Sequence, residues 1–80
     1  MKKTAIIIPM FNEAKSLPIL FENIEKIIRP EFIFIFVNDG SRDNSLEILK
    51  TANLNHLLIS HKKNLGLASA VKSGIDEATK

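Results

Sequence analysis

Short polar clusters follow three apolar runs of this chain, and their side chains suit the binding of a nucleotide. Phe11 and Glu13 follow the first run, Asp39 follows the second, and Asn64 and Gly66 follow the third. An aromatic ring offers a face for a base, and carboxylates accept hydrogen bonds from base N–H groups and ribose hydroxyls. A helix that starts near Gly66 would add backbone N–H donors. Together these residue types indicate a nucleotide-binding cleft.

The carboxylate of Asp39 also bears on which base would bind. An ionised carboxylate only accepts hydrogen bonds, so it favours a base with a ring N–H on its pairing edge. Uracil, thymine and guanine present this N–H, whereas cytosine and adenine present a ring acceptor. The interpretation favours a uridine or guanosine diphosphate ligand. Two alternatives stay open at this point, because Asp is a favoured turn former and Phe11 is equally compatible with the core.

The three apolar runs have the composition of strands buried on both faces. Residues 5–9 are rich in Ile, residues 32–37 alternate Phe with Ile or Val, and residues 57–59 are Leu-Leu-Ile. Strands of a parallel sheet are continuous apolar runs of this kind. We predict that residues 32–37 form the central strand and that all six side chains lie in the core.

Between these runs, the apolar residues recur at helical spacing. The spacing predicts helices over residues 17–28, 46–52 and 68–78. Ser16 is a candidate cap for the first helix and Asp43 for the second, and the Arg-Pro pair at positions 29 and 30 would end the first helix.

The resulting β-α-β-α-β-α order predicts an α/β fold with a three-layer, Rossmann-like parallel sheet, because these connections are long enough for parallel crossovers. Ligands of such sheets bind beyond the carboxyl ends of the strands, where all three polar clusters fall. Residues 1–80 are interpreted as a single incomplete domain, since the third helix has no following strand to cover.

Composition excludes several classes of protein. The net charge of +2 is too small for a nucleic-acid footprint, and no apolar stretch is long enough to cross a bilayer. The lack of Cys excludes a disulfide-rich miniprotein and allows a reducing compartment. The alternating Phe residues at 32–36 could stack single-stranded RNA, but the strand lacks interleaved basic residues.

The sequence also lacks a group of residues with the spacing of metal ligands. His56 and His61 have no nearby Cys or third ligand, and Asp39 and Asp43 flank a turn without a convincing third ligand. We therefore predict no metal site in this chain, and we interpret the two histidines as surface or half-buried residues. The Lys-Lys pair at positions 62 and 63 is interpreted as solvated.

Three segments carry a family resemblance: IIIPMFNE at residues 6–13, VNDGSRDNS at 37–45 and NLGLASAVKSGI at 64–75. In this order and spacing they resemble the amino-terminal motifs of the family 2 glycosyltransferases, which have the GT-A fold. The resemblance implies transfer of a sugar from a nucleotide diphosphate donor, with this half of the fold holding the nucleotide.

Carried over by position, the resemblance assigns the substrate-binding residues. It implies that Pro9, Phe11 and Glu13 line the base and ribose pocket, that Asp39 binds the base, and that Asn64 with Gly66 closes the pocket. The family's metal-binding Asp-x-Asp and its catalytic base lie beyond residue 80, so no catalytic residue is assigned here. The chain alone is expected to be inactive, and Mg²⁺ or Mn²⁺ is expected only in the full-length enzyme.

Within the family, the chain looks most like the polyprenyl- or dolichyl-phosphate sugar transferases. This implies a hexose from a UDP- or GDP-sugar, a lipid-phosphate or saccharide acceptor, and a cytoplasmic protein that meets the inner face of the cell membrane only through further regions. Lys72 could approach phosphate, although an exposed helical lysine is the simpler account. The alternative is a non-catalytic Rossmann- or flavodoxin-like nucleotide-binding or interaction module, which the lack of Gly-x-Gly-x-x-Gly after the first strand disfavours.

Overall fold

The computed structural model describes residues 3–52 and 56–80. Strands and helices alternate along the chain as β1 (Thr4–Met10), α1 (Leu17–Ile27), β2 (Phe32–Asp39), α2 (Ser45–Lys50), β3 (His56–His61) and α3 (Leu67–Ala78). The predicted order of elements and the α/β class are confirmed.

The three strands form one parallel sheet in the order β1-β2-β3, which confirms the central position of β2. In the register, Met10 lies opposite Asn38, and Asp39 lies opposite His61. The strands therefore end close to one another, and the loops that follow them emerge at the same edge of the sheet.

Helices cover both faces of the sheet. On one face, Phe34 and Phe36 of β2 belong to a buried cluster with Leu17 and Ile24 of α1 and Leu49 of α2. On the opposite face, Ile35 and Val37 of β2 pack against Ala70 of α3. This alternation follows from the two-residue period of a strand, and it confirms the three-layer arrangement.

The core of β2 is shorter than predicted. Residues 34–37 are buried, whereas Phe32 and Ile33 are only partly buried. These two residues occupy the first two positions of the strand, and burial is complete only from the third position onward. The prediction of six core side chains is therefore right for four of them.

The ends of α1 differ from the prediction in two respects. The helix ends at Ile27, because Ile28 has extended backbone angles (φ −63°, ψ 139°). Ser16 occupies the N-cap position but makes no side-chain capping hydrogen bond. The carbonyl oxygen of Glu13 fixes this end instead, since it accepts the N–H groups of Ser16 and Leu17 at 3.0 and 3.1 Å. Across residues 3–52 and 56–80, no helix has the length and apolar character required to cross a membrane.

Candidate functional site

A cavity of about 380 Å³ opens where the loops after the three strands meet. Its lining includes every residue that the sequence predicted for the site: Pro9, Phe11, Glu13, Asp39, Asn64 and Gly66. Met10, Leu67 and Ala70 complete the wall and were not predicted. Segments far apart in the sequence thus contribute to a single cleft, as the parallel topology predicted.

Asp39 is the buried polar group of this cavity, with a relative exposure of 4%. Its Oδ1 accepts the Leu65 N–H at 2.9 Å, and its Oδ2 accepts the Gly66 N–H at 3.0 Å. These partners lie on the β3–α3 loop, so the alternative of a local turn residue is wrong. The neighbouring Asn38 makes the turn instead, because its Oδ1 accepts the Ser41 N–H at 3.3 Å.

The environment of Asp39 favours its charged form. A hydrogen bond from His61, followed by the Leu65 N–H, holds the pKa of Asp39 below its ordinary value of 3.8, although burial acts in the opposite direction. The side chain is therefore a carboxylate at neutral pH. Buried in the wall of a cleft, it is a hydrogen-bond acceptor of fixed position.

His61 is a site residue that the sequence interpretation missed. Its Nδ1 lies 2.8 Å from Asp39 Oδ1, and its Nε2 lies 2.9 Å from Ser73 Oγ on α3. The histidine side chain is 11% exposed. The strand predicted at residues 57–59 ended too early to include it, whereas the observed register sets it directly opposite Asp39. A longer β3 in the prediction would have revealed the pair.

Asn64 and Gly66 shape the loop over Asp39. Asn64 donates its side-chain Nδ2–H to the Asp39 carbonyl oxygen at 3.3 Å. Gly66 has φ +99°, a region that favours glycine, and its N–H is engaged by the Asp39 carboxylate. The Gly66 N–H is thus already bonded within the protein, and the predicted donation from the start of α3 to a ligand would have to come from the N–H groups that follow Gly66.

Phe11 and Glu13 present their side chains on the opposite wall. Phe11 is 42% exposed, so the alternative that it belongs to the core is wrong. Its ring also borders a second cleft of about 350 Å³ lined by Arg42, Lys62 and Lys63, all of them exposed. The carboxylate of Glu13 is exposed at the cavity and forms no hydrogen bond or ion pair with another described residue.

The loop that carries Phe11 is tied to the loop after β2 by reciprocal hydrogen bonds. Ser41 Oγ accepts the Asn12 N–H at 3.0 Å, and Asn12 Oδ1 accepts the Arg42 N–H at 2.7 Å. Ser45 Oγ accepts the next N–H, that of Glu13, at 3.1 Å. Asn12 adopts a positive φ of 53°, which Asn tolerates better than most residues. The two loops therefore form one connected wall.

Asp43 extends this connection to the start of α2. Its carboxylate accepts the Ala14 N–H at 3.2 Å, the Ser45 N–H at 3.0 Å and the Ser45 hydroxyl. The hydrogen bonds from Ser45 hold the pKa of Asp43 below its ordinary value. The predicted cap thus acts from one residue before the N-cap position, which Asn44 occupies without a side-chain capping bond.

Comparison with known protein families tests the resemblance that the three sequence motifs indicated. Residues 5–80 match the family described as "Glycosyl transferase family 2". The chain belongs to this family. The predicted resemblance is confirmed, and the parallel sheet described above agrees with the Rossmann-like GT-A fold of family 2.

Two relatives of this chain carry the same activity in their names. An undecaprenyl-phosphate 4-deoxy-4-formamido-L-arabinose transferase of Yersinia enterocolitica is 38% identical over 86 aligned positions, which cover 98% of this chain and 26% of the relative. A protein of the same name from Proteus mirabilis is 39% identical over 83 positions, covering 95% of this chain and 26% of the relative. The chain spans about a quarter of the length of these relatives.

The carboxylates of this family 2 chain do not fit a magnesium or manganese site. Among residues 3–52 and 56–80, no group of three or more metal-ligating side chains is close enough to hold an ion. Both oxygens of Asp39 and both oxygens of Asp43 already accept hydrogen bonds from the protein, which leaves each carboxylate about one free acceptor position. Mg²⁺ is usually held by one or two carboxylates together with waters and substrate phosphates, and neither aspartate has an oxygen that is free of protein hydrogen bonds for this purpose.

Proposed function

We propose that this chain is the donor-binding part of a glycosyltransferase, which holds the nucleotide of a UDP- or GDP-sugar in the cavity at the sheet edge. One observation carries the proposal: a single cavity of about 380 Å³ is lined by an aromatic residue, a buried carboxylate and an exposed carboxylate, a combination that suits a nucleoside. This volume lies within the range of about 300 to 1,000 Å³ that is usual for small-molecule sites.

In this proposal different lining residues bind different parts of the nucleotide. The exposed ring of Phe11 stacks on the base, and Asp39 accepts the ring N–H of uracil or guanine. Glu13 accepts hydrogen bonds from the ribose hydroxyls, since its carboxylate has no partner among the described residues. Pro9 contributes an apolar surface, and Asn64 with Gly66 keeps the β3–α3 loop in place over Asp39.

The reaction of the full-length protein is proposed from its family and relatives. Their names specify undecaprenyl phosphate, so we propose a lipid phosphate as the acceptor, with a saccharide acceptor as the second choice. The proposed transferred group is a sugar: the relatives' names specify an arabinose, which is a pentose, whereas the family resemblance implied a hexose. We assign neither the catalytic base nor a ligand of the expected Mg²⁺ or Mn²⁺ to the described residues. We propose a cytoplasmic protein that meets its acceptor at the inner face of the cell membrane, and the lack of Cys suits that reducing compartment.

Base selectivity tests the site directly. In titrations of the full-length protein, UDP and GDP are expected to bind about tenfold or more tightly than CDP and ADP, because a hydrogen bond to a charged group contributes about 1.5 to 3 kcal/mol. Asp39→Asn should remove most of this preference. Equal affinity for all four nucleotides would contradict the assignment of Asp39 to base recognition.

A matched pair of variants separates binding from folding. Asp39→Asn also disturbs the hydrogen bonds from Leu65 and Gly66, so its melting temperature must be measured together with its affinity. Phe11→Ala alters an exposed ring and should weaken binding of every nucleotide about fivefold or more without loss of stability. Asp76→Asn, on the exposed side of α3, is the matched control and should leave binding unchanged.

Sugar transfer tests the enzymatic part of the proposal. The full-length protein, supplied with a UDP- or GDP-sugar, a divalent cation and a polyprenyl phosphate, should form a glycosylated lipid. Nucleotide binding without transfer to any lipid-phosphate or saccharide acceptor would favour the non-catalytic module instead.

A further inference from the structure

The hydrogen bonds of Asp39 leave one of its acceptor positions for a ligand. Each carboxylate oxygen accepts about two hydrogen bonds. Oδ1 has two neighbours, the Leu65 N–H at 2.9 Å and His61 Nδ1 at 2.8 Å. Oδ2 has one, the Gly66 N–H at 3.0 Å. The remaining position on Oδ2 is therefore the acceptor that a base N–H would use.

His61 is held in place at both ends of its ring. Nδ1 contacts the carboxylate on β2, and Nε2 contacts the Ser73 hydroxyl on α3 at 2.9 Å. A ring that is fixed by two elements of the core cannot turn without losing both hydrogen bonds. The contact with His61 therefore ties the Asp39 carboxylate to β3 and α3, in addition to the two N–H groups of the β3–α3 loop.

The chemistry of the pair defines which ring nitrogen carries hydrogen. An ionised carboxylate cannot donate, so Nδ1 must be protonated to bond with Oδ1. Nε2 then accepts from the Ser73 hydroxyl when the ring is neutral, and donates to it when the ring is charged. Ser73 suits both cases because a hydroxyl both donates and accepts.

We propose that His61 is a positioning residue for base selection: it fills Oδ1 of Asp39 and orients the carboxylate so that Oδ2 is reserved for the ring N–H of the bound base. This inference rests on the proposed function, since it presupposes a nucleotide in the cavity. It adds a selectivity element, from His61 to Ser73, that lies behind the wall of the cavity and outside its lining.

The test compares one ligand that has the ring N–H with one that lacks it. UDP and CDP are titrated into the full-length wild-type protein and into its His61→Phe and His61→Asn variants. His61→Phe keeps an aromatic ring but removes both hydrogen bonds, whereas the shorter amide of Asn still offers a donor near the position of Nδ1. We expect His61→Phe to weaken UDP binding about tenfold and to change CDP binding less than about twofold. His61→Asn should restore most of the preference for UDP.

The outcomes distinguish this inference from the proposed function. If wild-type protein does not prefer UDP to CDP, or if Asp39→Asn keeps the preference, the proposed role of Asp39 fails. If Asp39→Asn abolishes the preference but His61→Phe retains it, the inference about His61 fails alone. Equal weakening of UDP and CDP by His61→Phe would also overturn it, because it would show a merely structural role.

Two further measurements keep the inference testable if His61→Phe does not fold. Ser73→Ala retains the contact with Asp39 and removes only the outer anchor, so it should reduce the UDP preference by about two- to threefold. Nitrogen chemical shifts of the histidine rings in wild-type protein should show His61 with a protonated Nδ1. An unprotonated Nδ1 at neutral pH, or a Ser73→Ala variant with unchanged preference, would overturn the proposal.

Discussion

Gly40 and Asn64 approach so closely that a side chain at Gly40 would collide with the Asn64 backbone nitrogen and the preceding Lys63 carbonyl carbon. Gly40 also has φ +72°, in the left-handed region. Two independent requirements for glycine thus coincide where the loops after β2 and β3 meet. The absence of a side chain at Gly40 thus allows the loop after β2 to approach the loop after β3 next to Asp39.

Substitution of Gly40 should therefore be costly. We expect Gly40→Ala to lower the free energy of unfolding by roughly 3 kcal/mol or more, because backbone strain and a clash with backbone atoms add together. Gly66→Ala is the matched comparison, since Gly66 also has a positive φ but a Cβ there would contact nothing within 4 Å. Its cost should be about 1 to 2 kcal/mol of strain. Urea denaturation followed by ellipticity measures both, and equal losses would refute the clash.

Acid should weaken the connection between the loops through Asp43. Its pKa is lowered in the folded state, so the stability that it contributes is fully present above the ordinary value of 3.8 and is lost as the pH falls through the folded-state value. Asp43→Asn should be less stable than wild type at pH 7, and the two should converge as the pH falls below 3.8. Denaturation midpoints between pH 7 and pH 2.5 would show this. A constant difference over that interval would contradict it.

Lys72 should be dispensable for nucleotide binding. Its Nζ pairs with Asp76 at 2.9 Å on the exposed surface of α3, and this pairing raises the pKa of Lys72. The structure therefore supports the interpretation of Lys72 as an exposed helical lysine. We expect Lys72→Ala to change UDP affinity by less than about twofold, because Lys72 lines neither of the two cavities at the carboxyl ends of the strands. A loss of tenfold or more in calorimetric titration would assign Lys72 to the phosphates after all.

The fold was predictable because the strands and helices of this chain have distinct apolar periods. Continuous apolar runs identified β1 and β2, and spacing of three and four identified α1 and α3. The end of α1 was less predictable. Ile27 and Ile28 continue the apolar stripe but are 59% and 42% exposed, so sequence spacing at this end does not report burial.

The candidate site was predictable only for residues at the carboxyl ends of the strands and in the loops that follow them. Parallel topology alone brings Phe11, Asp39 and Asn64 to one cavity. The sequence did not reveal the contacts of His61 with Asp39 and Ser73. These contacts depend on the exact register of β3 and on the rotation of α3, which apolar spacing does not define. The use of Gly66 N–H by Asp39 likewise required the loop conformation.

Asn12 donates its N–H to Ser41 Oγ and accepts the Arg42 N–H at its Oδ1, so residues that do not line the cavity help to position the loop beside it. Where the aromatic ring of Phe11 sits depends on a neighbouring loop some thirty positions later in the sequence. Substitution of Ser41 or Asp43 is therefore expected to alter the shape of the cavity through the loop that carries Phe11, although neither side chain lines it.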